Sequence, residues 1–258
     1  TEWLSRRIGG VYIPIIANID GGEDKEIIFN GNHHAFIFKS DGSLLDGWPI
    51  GIGCYGRSPG ENPSVGNIND DNEPEILLNH FGWDVNDDNG LYCGYCAYAW
   101  DLNGNNINGW PIECIPGGFG SSGTASHPLV LSNFDRQIGG LESLLLDKGR
   151  SYPSIIYSFR SNGRDVDNWP IMFEDDQEVV SKPAIGDVDC DGEEEVVFSI
   201  VNLDDIGFHV LDSHILQIVS KAGEIEGNFN ILQDKNLIGT GIILFDIDNN
   251  CDLEIVLA

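Results

Sequence analysis

The chain has 258 residues, with 42 Asp and Glu against 13 Lys and Arg, a formal charge of −29. Such an excess excludes a nucleic-acid phosphate binder, which needs a basic patch, and argues against an anionic membrane surface as partner. No stretch has the apolar length of a membrane helix, so membrane insertion is excluded as well. Hydrophobic residues make up 41% and glycines number 32, enough for a packed core rich in turns.

The N-terminal segment lacks the order of a signal peptide, and a first residue of Thr suggests a processed or trimmed chain. From there the chain reads as repeats of four short strands. In the first unit, residues 13–18 form an apolar strand A. An acidic loop leads to strand B at Glu26-Ile27-Ile28-Phe29. Residues 34–40 alternate apolar and polar as strand C, Asp41-Gly42 marks a turn, and Trp48 opens strand D. The approximate units are 13–50, 62–112, 128–171, 182–231 and 241–258, with 1–8 a candidate to complete the last.

Two signals set this period. One is a glycine followed six residues later by Trp-Pro-Ile: Gly42 to Trp48, Gly104 to Trp110 and Gly163 to Trp169, with a worn copy from Gly223 to Phe229. The other is an acidic loop before an apolar run, beginning at Asn18, Asn67, Asn133, Asp187 and Asp246. Nothing shows the 3.6-residue period of a substantial helix. The expectation is an all-β β-propeller of four-stranded blades, either closed as a small ring of five or belonging to a larger ring.

The acidic loops have the donor pattern of a hard-cation site. In the fourth loop, oxygen side chains fall at positions 1, 3, 5 and 9 as Asp187, Asp189, Asp191 and Glu195. Gly192 at position 6 lets the backbone turn with positive φ, and Glu193 at position 7 offers its carbonyl. An all-oxygen shell of six or seven ligands suits Ca²⁺ better than Mg²⁺ or Zn²⁺. The fifth loop has Asp246, Asp248, Asn250, Asp252 and Glu254, with Cys251 in place of the glycine. The second has Asn67, Asn69, Asp71, Glu73 and Glu75, and its lower charge predicts weaker binding. The first has Asn18, Asp20, Asp24 and Glu26, but Gly22 removes the fifth-position ligand. In the third loop (Asn133, Asp135, Gln137) Glu142 is displaced by one residue, so no metal is expected there. Two to four Ca²⁺ ions follow. Acidic surface turns without metal are the plainer alternative.

The strand–DxDxDG–strand unit, clearest at Asp187 to Glu195, resembles the FG-GAP/VCBS repeats of integrin-α-like propellers, and the Gly-Trp-Pro ends resemble the secreted bacterial members of that family. The resemblance covers nearly the whole chain. It implies a propeller, structural Ca²⁺, a secreted, extracellular or cell-surface setting and a role in binding or adhesion, without naming a ligand.

In a propeller the acidic loops share one face and the longest insertions fall on the other. Residues 79–95 carry Trp83, Tyr92 and Tyr95, which could stack on a sugar or fill a partner's pocket. Asp84, Asp87 and Asp88 could hydrogen-bond hydroxyls. The partner expected there is a protein or a glycan, with self-assembly a further option. Cys54, Cys93, Cys96 and Cys114 map to the same face, as two disulfides or as a four-thiolate Zn²⁺ site. Whether Cys190 and Cys251 pair depends on the spacing between units. No nucleophile elbow, zinc-protease helix or phosphate loop is present, and the acids are too many to single out a glycosidase pair. The functions that fit are a binding, adhesion or assembly module, a polysaccharide-lyase-like carbohydrate-active enzyme, or a structural subunit of an extracellular assembly.

Overall fold

A computed structural model describes residues 13–31, 34–52, 62–79, 95–113, 129–134, 139–147, 154–204, 214–230 and 241–257. Among them all regular structure is β, in antiparallel sheets that follow chain order. Sheet 1 holds β1 (Ile15–Ala17), β2 (Glu26–Gly31), β3 (His34–Phe38) and β4 (Ile50–Gly51). Sheet 2 holds β5 (Ser64–Gly66), β6 (Glu75–Asn79), β7 (Tyr95–Trp100) and β8 (Ile112–Glu113). Sheet 3 holds β9 (Val130–Ser132), β10 (Glu142–Asp147), β11 (Ile155–Phe159) and β12 (Ile171–Met172). In these three sheets each strand pairs with the next in sequence.

Sheet 4 departs from the four-strand expectation. Here β15 (Glu195–Asn202) is long enough for β14 (Ala184–Gly186) to pair with its first part and for an additional strand, β13 (Gln177–Val179), to pair with its last part. Beyond it lie β16 (Ile215–Val219) and β17 (Ile225–Asn230). Sheet 5 comprises β18 (Ile242–Phe245) and β19 (Glu254–Leu257). No helix in the described residues is long and apolar enough to cross a membrane.

The core lies between successive sheets. Side chains alternate along each strand, so a strand apolar throughout serves two neighbours at once. In β6, Ile76 and Leu78 pack with Ile28, Ile37 and Trp48 of sheet 1, while Leu77 packs with Leu145 and Tyr157 of sheet 3. Sheets 3 and 4 meet in the same way through Leu144, Leu146 and Ile156 against Val196, Phe198 and Ile200. Each such side chain, fully buried, contributes about 1.5–3 kcal/mol. Strand A of the first unit is apolar throughout, yet Ile16 is exposed, and among the described residues no sheet packs against it.

The Gly-Trp-Pro signal is the seam of this stack. Four hairpins share one hydrogen-bond pattern, in which the residue three after a turn donor returns its own N–H: Gly42 to Lys39, Gly104 to Asp101, Gly163 to Arg160 and Gly223 to Ser220. In the first three a further bend places the tryptophan before strand D rather than inside it, with a cis Trp-Pro bond each time. Each indole Nε1–H then donates to a carbonyl in the next sheet's turn: Trp48 to Leu102 (2.9 Å), Trp110 to Ser161 (2.9 Å) and Trp169 to Lys221 (3.0 Å). The bend needs a left-handed residue just before the tryptophan, and Gly47, Gly109 and Asn168 supply it with φ of 89°, 94° and 68°. In the worn copy Asn228 has no such conformation, the strand runs on as β17, and Phe229 is left exposed. Phenylalanine has no N–H to donate, so the sequence likeness at that position does not extend to the seam.

Gly109 and Gly42 separate the two demands on these turns. Both have positive φ, but a Cβ on Gly42 meets open space, whereas one on Gly109 would run into the backbone carbonyl of Asn162. Gly42→Ala is expected to cost about 1–2 kcal/mol, the left-handed penalty alone. Gly109→Ala adds an overpacking cost of about 1–3 kcal/mol. Denaturant unfolding of the two variants measures the difference.

Candidate metal centre

Each acidic loop joins the first strand of a unit to its second, and one glutamate fixes it. The ninth-position carboxylate folds back and accepts the N–H of position 2. Glu26 takes Ile19 (3.0 Å), Glu75 takes Ile68 (2.8 Å), Glu195 takes Val188 (2.9 Å) and Glu254 takes Ile247 (2.7 Å). All four bonds use Oε2. The first three glutamates are buried and Glu254 is partly so.

The third loop keeps this glutamate in place. Glu142 is buried and pairs with Ser132, the residue just before position 1, as Glu75 pairs with Gly66. Its displacement by one in the sequence is therefore taken up inside the loop and leaves the strand register intact. Asp135 and Gln137 lie outside the described residues.

The fourth and fifth loops share one geometry. Position 1 spans two amides: Asp187 accepts from Asp191 (3.1 Å) and Gly192 (2.9 Å), and Asp246 from Asn250 (3.2 Å) and Cys251 (3.2 Å). Carboxylate oxygens of Asp187, Asp189 and Glu195 lie within 4.8 Å of one another, as do those of Asp246, Asp248 and Glu254. Oxygens bound to one Ca²⁺ at about 2.3–2.6 Å sit at most about 5 Å apart, so both trios fit that ion. Asp191 stands outside its trio and accepts the N–H of Glu193 (2.7 Å). Asn250, an amide, is not part of the carboxylate trio.

Loops 1 and 2 have asparagine at position 1. Asn18 Oδ1 accepts from Gly21 (3.0 Å), and Asp20 accepts from Gly22 (2.8 Å). In loop 2, Asn69 accepts from Asp71 (3.1 Å) and Asp71 from Glu73 (2.8 Å). Asn67 Oδ1 is buried there with no hydrogen-bond partner. A buried acceptor with no donor is costly, and a cation bound beside Glu75 would satisfy it.

Two position-7 side chains turn away from their loops. Asp24 accepts from the Ser40 hydroxyl (2.6 Å), and Glu193 pairs with Lys221. Both partners belong to the hairpin turn of the same sheet, so acidic loops and Trp-bearing turns share one side. At position 7 only the backbone carbonyl remains for a metal. Asp252 adds its charge to the same loop.

Sequence reasoning missed two features and left a third open. Position 4 also has a left-handed backbone, at Asp70 (φ 61°), Cys190 (61°) and Asn249 (60°), in addition to position 6 at Asn72, Gly192 and Cys251. Asp and Asn tolerate this conformation, and their presence at position 4 was the available signal. Secondly, Glu226 on β17 lies close enough for the charges of Asp189 and Asp191 to act on it, and burial raises its pKa first. Thirdly, Cys190 and Cys251 form a disulfide with Cα atoms 5.5 Å apart, tying position 4 of loop 4 to position 6 of loop 5. The equivalent place between loops 2 and 3 is filled by Asp70 against Gly139.

Of the loop residues proposed for binding, Trp83, Asp84, Asp87, Asp88 and Tyr92 lie outside the described residues, as do Cys54, Cys93 and Cys114. Tyr95 and Cys96 open β7 at the end of sheet 2 away from the acidic loop.

No family model matches the chain, and no curated protein sequence matches it. Solved structures do resemble it. The biofilm matrix protein Bap1 of V. cholerae aligns over 89% of this chain and 30% of its own, with a TM-score of 0.55 and 14% identity. The rhamnogalacturonan lyase YesW aligns over 96% of this chain and 55% of its own, with a TM-score of 0.51 and 14% identity. This chain thus spans about a third to a half of those proteins. At such identity the likeness is one of fold.

Burial pushes Glu75 and Glu195 up to about 7, helped by Asp71 beside the first and Asp189 beside the second. Their unfolded value is near 4.5, so the protonated forms favour the folded state. That stability is complete below about pH 4.5 and is lost as pH rises toward 7. Metal-free protein is therefore expected to melt at a lower temperature at pH 8 than at pH 5.5, and Glu195→Gln to flatten that slope. The Cys190–Cys251 bridge closes a loop with a sequence separation of 61. Cys190→Ser with Cys251→Ser is expected to cost about 2–4 kcal/mol in denaturant unfolding.

Proposed function

We propose that this chain is a secreted, Ca²⁺-stabilised β-propeller module of the FG-GAP/VCBS kind, its sheets serving as blades, and that it acts in binding, adhesion or assembly outside the cell. The observation that carries the reading is the pair of carboxylate trios, Asp187–Asp189–Glu195 and Asp246–Asp248–Glu254, in equivalent positions of neighbouring units and joined by a disulfide. Three carboxylates within one ligand sphere repel one another, and a divalent cation removes that repulsion. A disulfide is at home in an oxidising compartment. The similar fold of a biofilm matrix protein supports an extracellular setting. The partner, a protein or a glycan, would meet the side opposite the metal loops.

A second reading has one specific support, the similar fold of a rhamnogalacturonan lyase. Release of unsaturated ends from rhamnogalacturonan would establish it, while binding on a glycan array without product would favour the module.

The metal is tested directly. Saturating Ca²⁺ at about a hundred times its dissociation constant stabilises by about 2.7 kcal/mol per site, or roughly 5–10 °C for a chain of this size. EGTA is expected to lower the melting temperature by that order, and Asp189→Ala with Asp248→Ala to shrink the difference. An unchanged melt, with no Ca²⁺ by elemental analysis, refutes the proposal.

A further inference from the structure

The left-handed turn at position 6 of an acidic loop suits glycine or asparagine, and loop 5 has neither. Position 6 is Asn72 in loop 2 (φ 71°), Gly192 in loop 4 (φ 88°) and Cys251 in loop 5 (φ 89°). The left-handed basin open to residues with a side chain is narrow, about +50° to +70°. Asp70 (61°), Cys190 (61°), Asn249 (60°) and Asn168 (68°) fall inside it, and Asn72 lies at its edge. Among the described residues, Cys251 alone of the non-glycines stands well outside, at the angle Gly192 adopts in the equivalent turn. Cysteine also lacks the short polar side chain by which Asn and Asp hold such a conformation through local hydrogen bonds.

Two interactions hold Cys251 there. Its N–H donates to Asp246 (3.2 Å), and its side chain is bonded to Cys190 of loop 4. The first joins the strained residue to the carboxylate trio of Asp246, Asp248 and Glu254. Loop 4 makes the same bond from Gly192 to Asp187 (2.9 Å), with a residue free to take the angle. The approach of two neighbouring loops does not itself call for a covalent bond. Between loops 2 and 3, Asp70 comes so close to Gly139 that a Cβ there would strike the Asp70 side chain, and the contact is made without one. The bridge is matched to the cysteine at the turn rather than to the spacing of the sheets.

We propose that the Cys190–Cys251 bridge is the positioning device of the loop-5 cation site. It holds position 6 in the glycine conformation, so that Asp246 stays within reach of Asp248 and Glu254. This role rests on the reading of the two trios as Ca²⁺ sites. Without the bridge, Cys251 relaxes toward an ordinary φ, its N–H leaves Asp246, and only a fraction of molecules keep the trio assembled. Apparent affinity falls with that fraction. The left-handed penalty of a residue with a side chain corresponds to a factor of about 5–30. Loop 4 keeps Gly192 and weakens less. The coupling is reciprocal, so Ca²⁺ at loop 5 favours the closed bridge by the same factor.

Calorimetric titration of the whole chain with Ca²⁺ tests it, with Asp189→Ala present throughout to weaken loop 4 and Asp248→Ala identifying the loop-5 site by its loss. Cys190→Ser with Cys251→Ser is expected to weaken that site by about 5–30-fold. Cys190→Ser with Cys251→Gly, which also lacks the bridge, is expected to bind within about threefold of the bridged chain, since glycine takes the turn unaided. A bridge that merely tied the sheets together leaves both variants equally weak, and that result overturns the proposal, as does full affinity in the serine variant. The unsubstituted chain gives a second measurement in a dithiol buffer, where reduction adds two electrons and two protons to the bridge and the dithiol closes to its own disulfide. Alkylation and mass spectrometry are expected to find the bridge at Cys190 and Cys251 more often closed with Ca²⁺ than without, and Asp248→Ala to remove that effect. A closed fraction indifferent to Ca²⁺ overturns the proposal. A bridged chain that binds no Ca²⁺ at loop 5 refutes the reading of the trios as well, whereas binding that ignores the bridge refutes the positioning role alone.

Discussion

One donor governs the architecture: the indole N–H that each Trp-Pro bend passes to the next sheet. An unpaired buried N–H or carbonyl costs about 1–3 kcal/mol, so neither partner is stable alone in its place. Trp48, Trp110 and Trp169 each need the following turn, and Leu102, Ser161 and Lys221 supply the carbonyls. The ring edges add to this, since Trp48 meets Trp100, Trp110 meets Phe159 and Phe134 meets Trp169 nearly at right angles. A sheet of four short strands buries too little by itself. Stacked in register, each lends its neighbour the second wall of a core.

The acidic loops stand on the same side because the strand order puts them there. Their glutamates have two roles that the chemistry does not separate. Each closes its loop by accepting a backbone N–H, and in loops 4 and 5 the same carboxylate stands within a ligand sphere of two aspartates. That division explains why a buried glutamate persists at the start of β10, in a unit whose loop is a residue longer and has lost the acidic pattern. It also explains why asparagine is tolerated at position 1 but not at position 9. The first position needs only to accept amides, whereas the ninth must reach across the loop.

Much of this was legible in the sequence because it repeats. The Gly-Trp-Pro spacing marked the seam before any contact was known, and the DxDxDG register placed Asp187, Asp189 and Glu195 together. What was not legible depended on neighbours. Asp191 matches the pattern, yet its carboxylate is held by Glu193 N–H, a choice made by the local turn. The exposure of Ile16 depends on what packs against sheet 1, which the apolar run of strand A does not reveal. The additional β13 is a short segment with no period of its own, visible only through the length of β15. The bond between Cys190 and Cys251 rests on the distance between loops, to which composition is blind. The reach of the repeat was overestimated at Phe229, where spacing survives but the donor and the left-handed bend do not.

The direction of the tryptophan bonds has a temporal side. Each of the three seam indoles looks forward along the chain, so a sheet leaving the ribosome cannot finish its last turn until the following one has emerged and folded. Completion therefore passes from the N-terminus to the C-terminus, each unit acting as the template on which its predecessor sets. Nearest-neighbour coupling of this kind makes a repeat protein's assembly sequential, and here the coupling has a polarity written into a single N–H group.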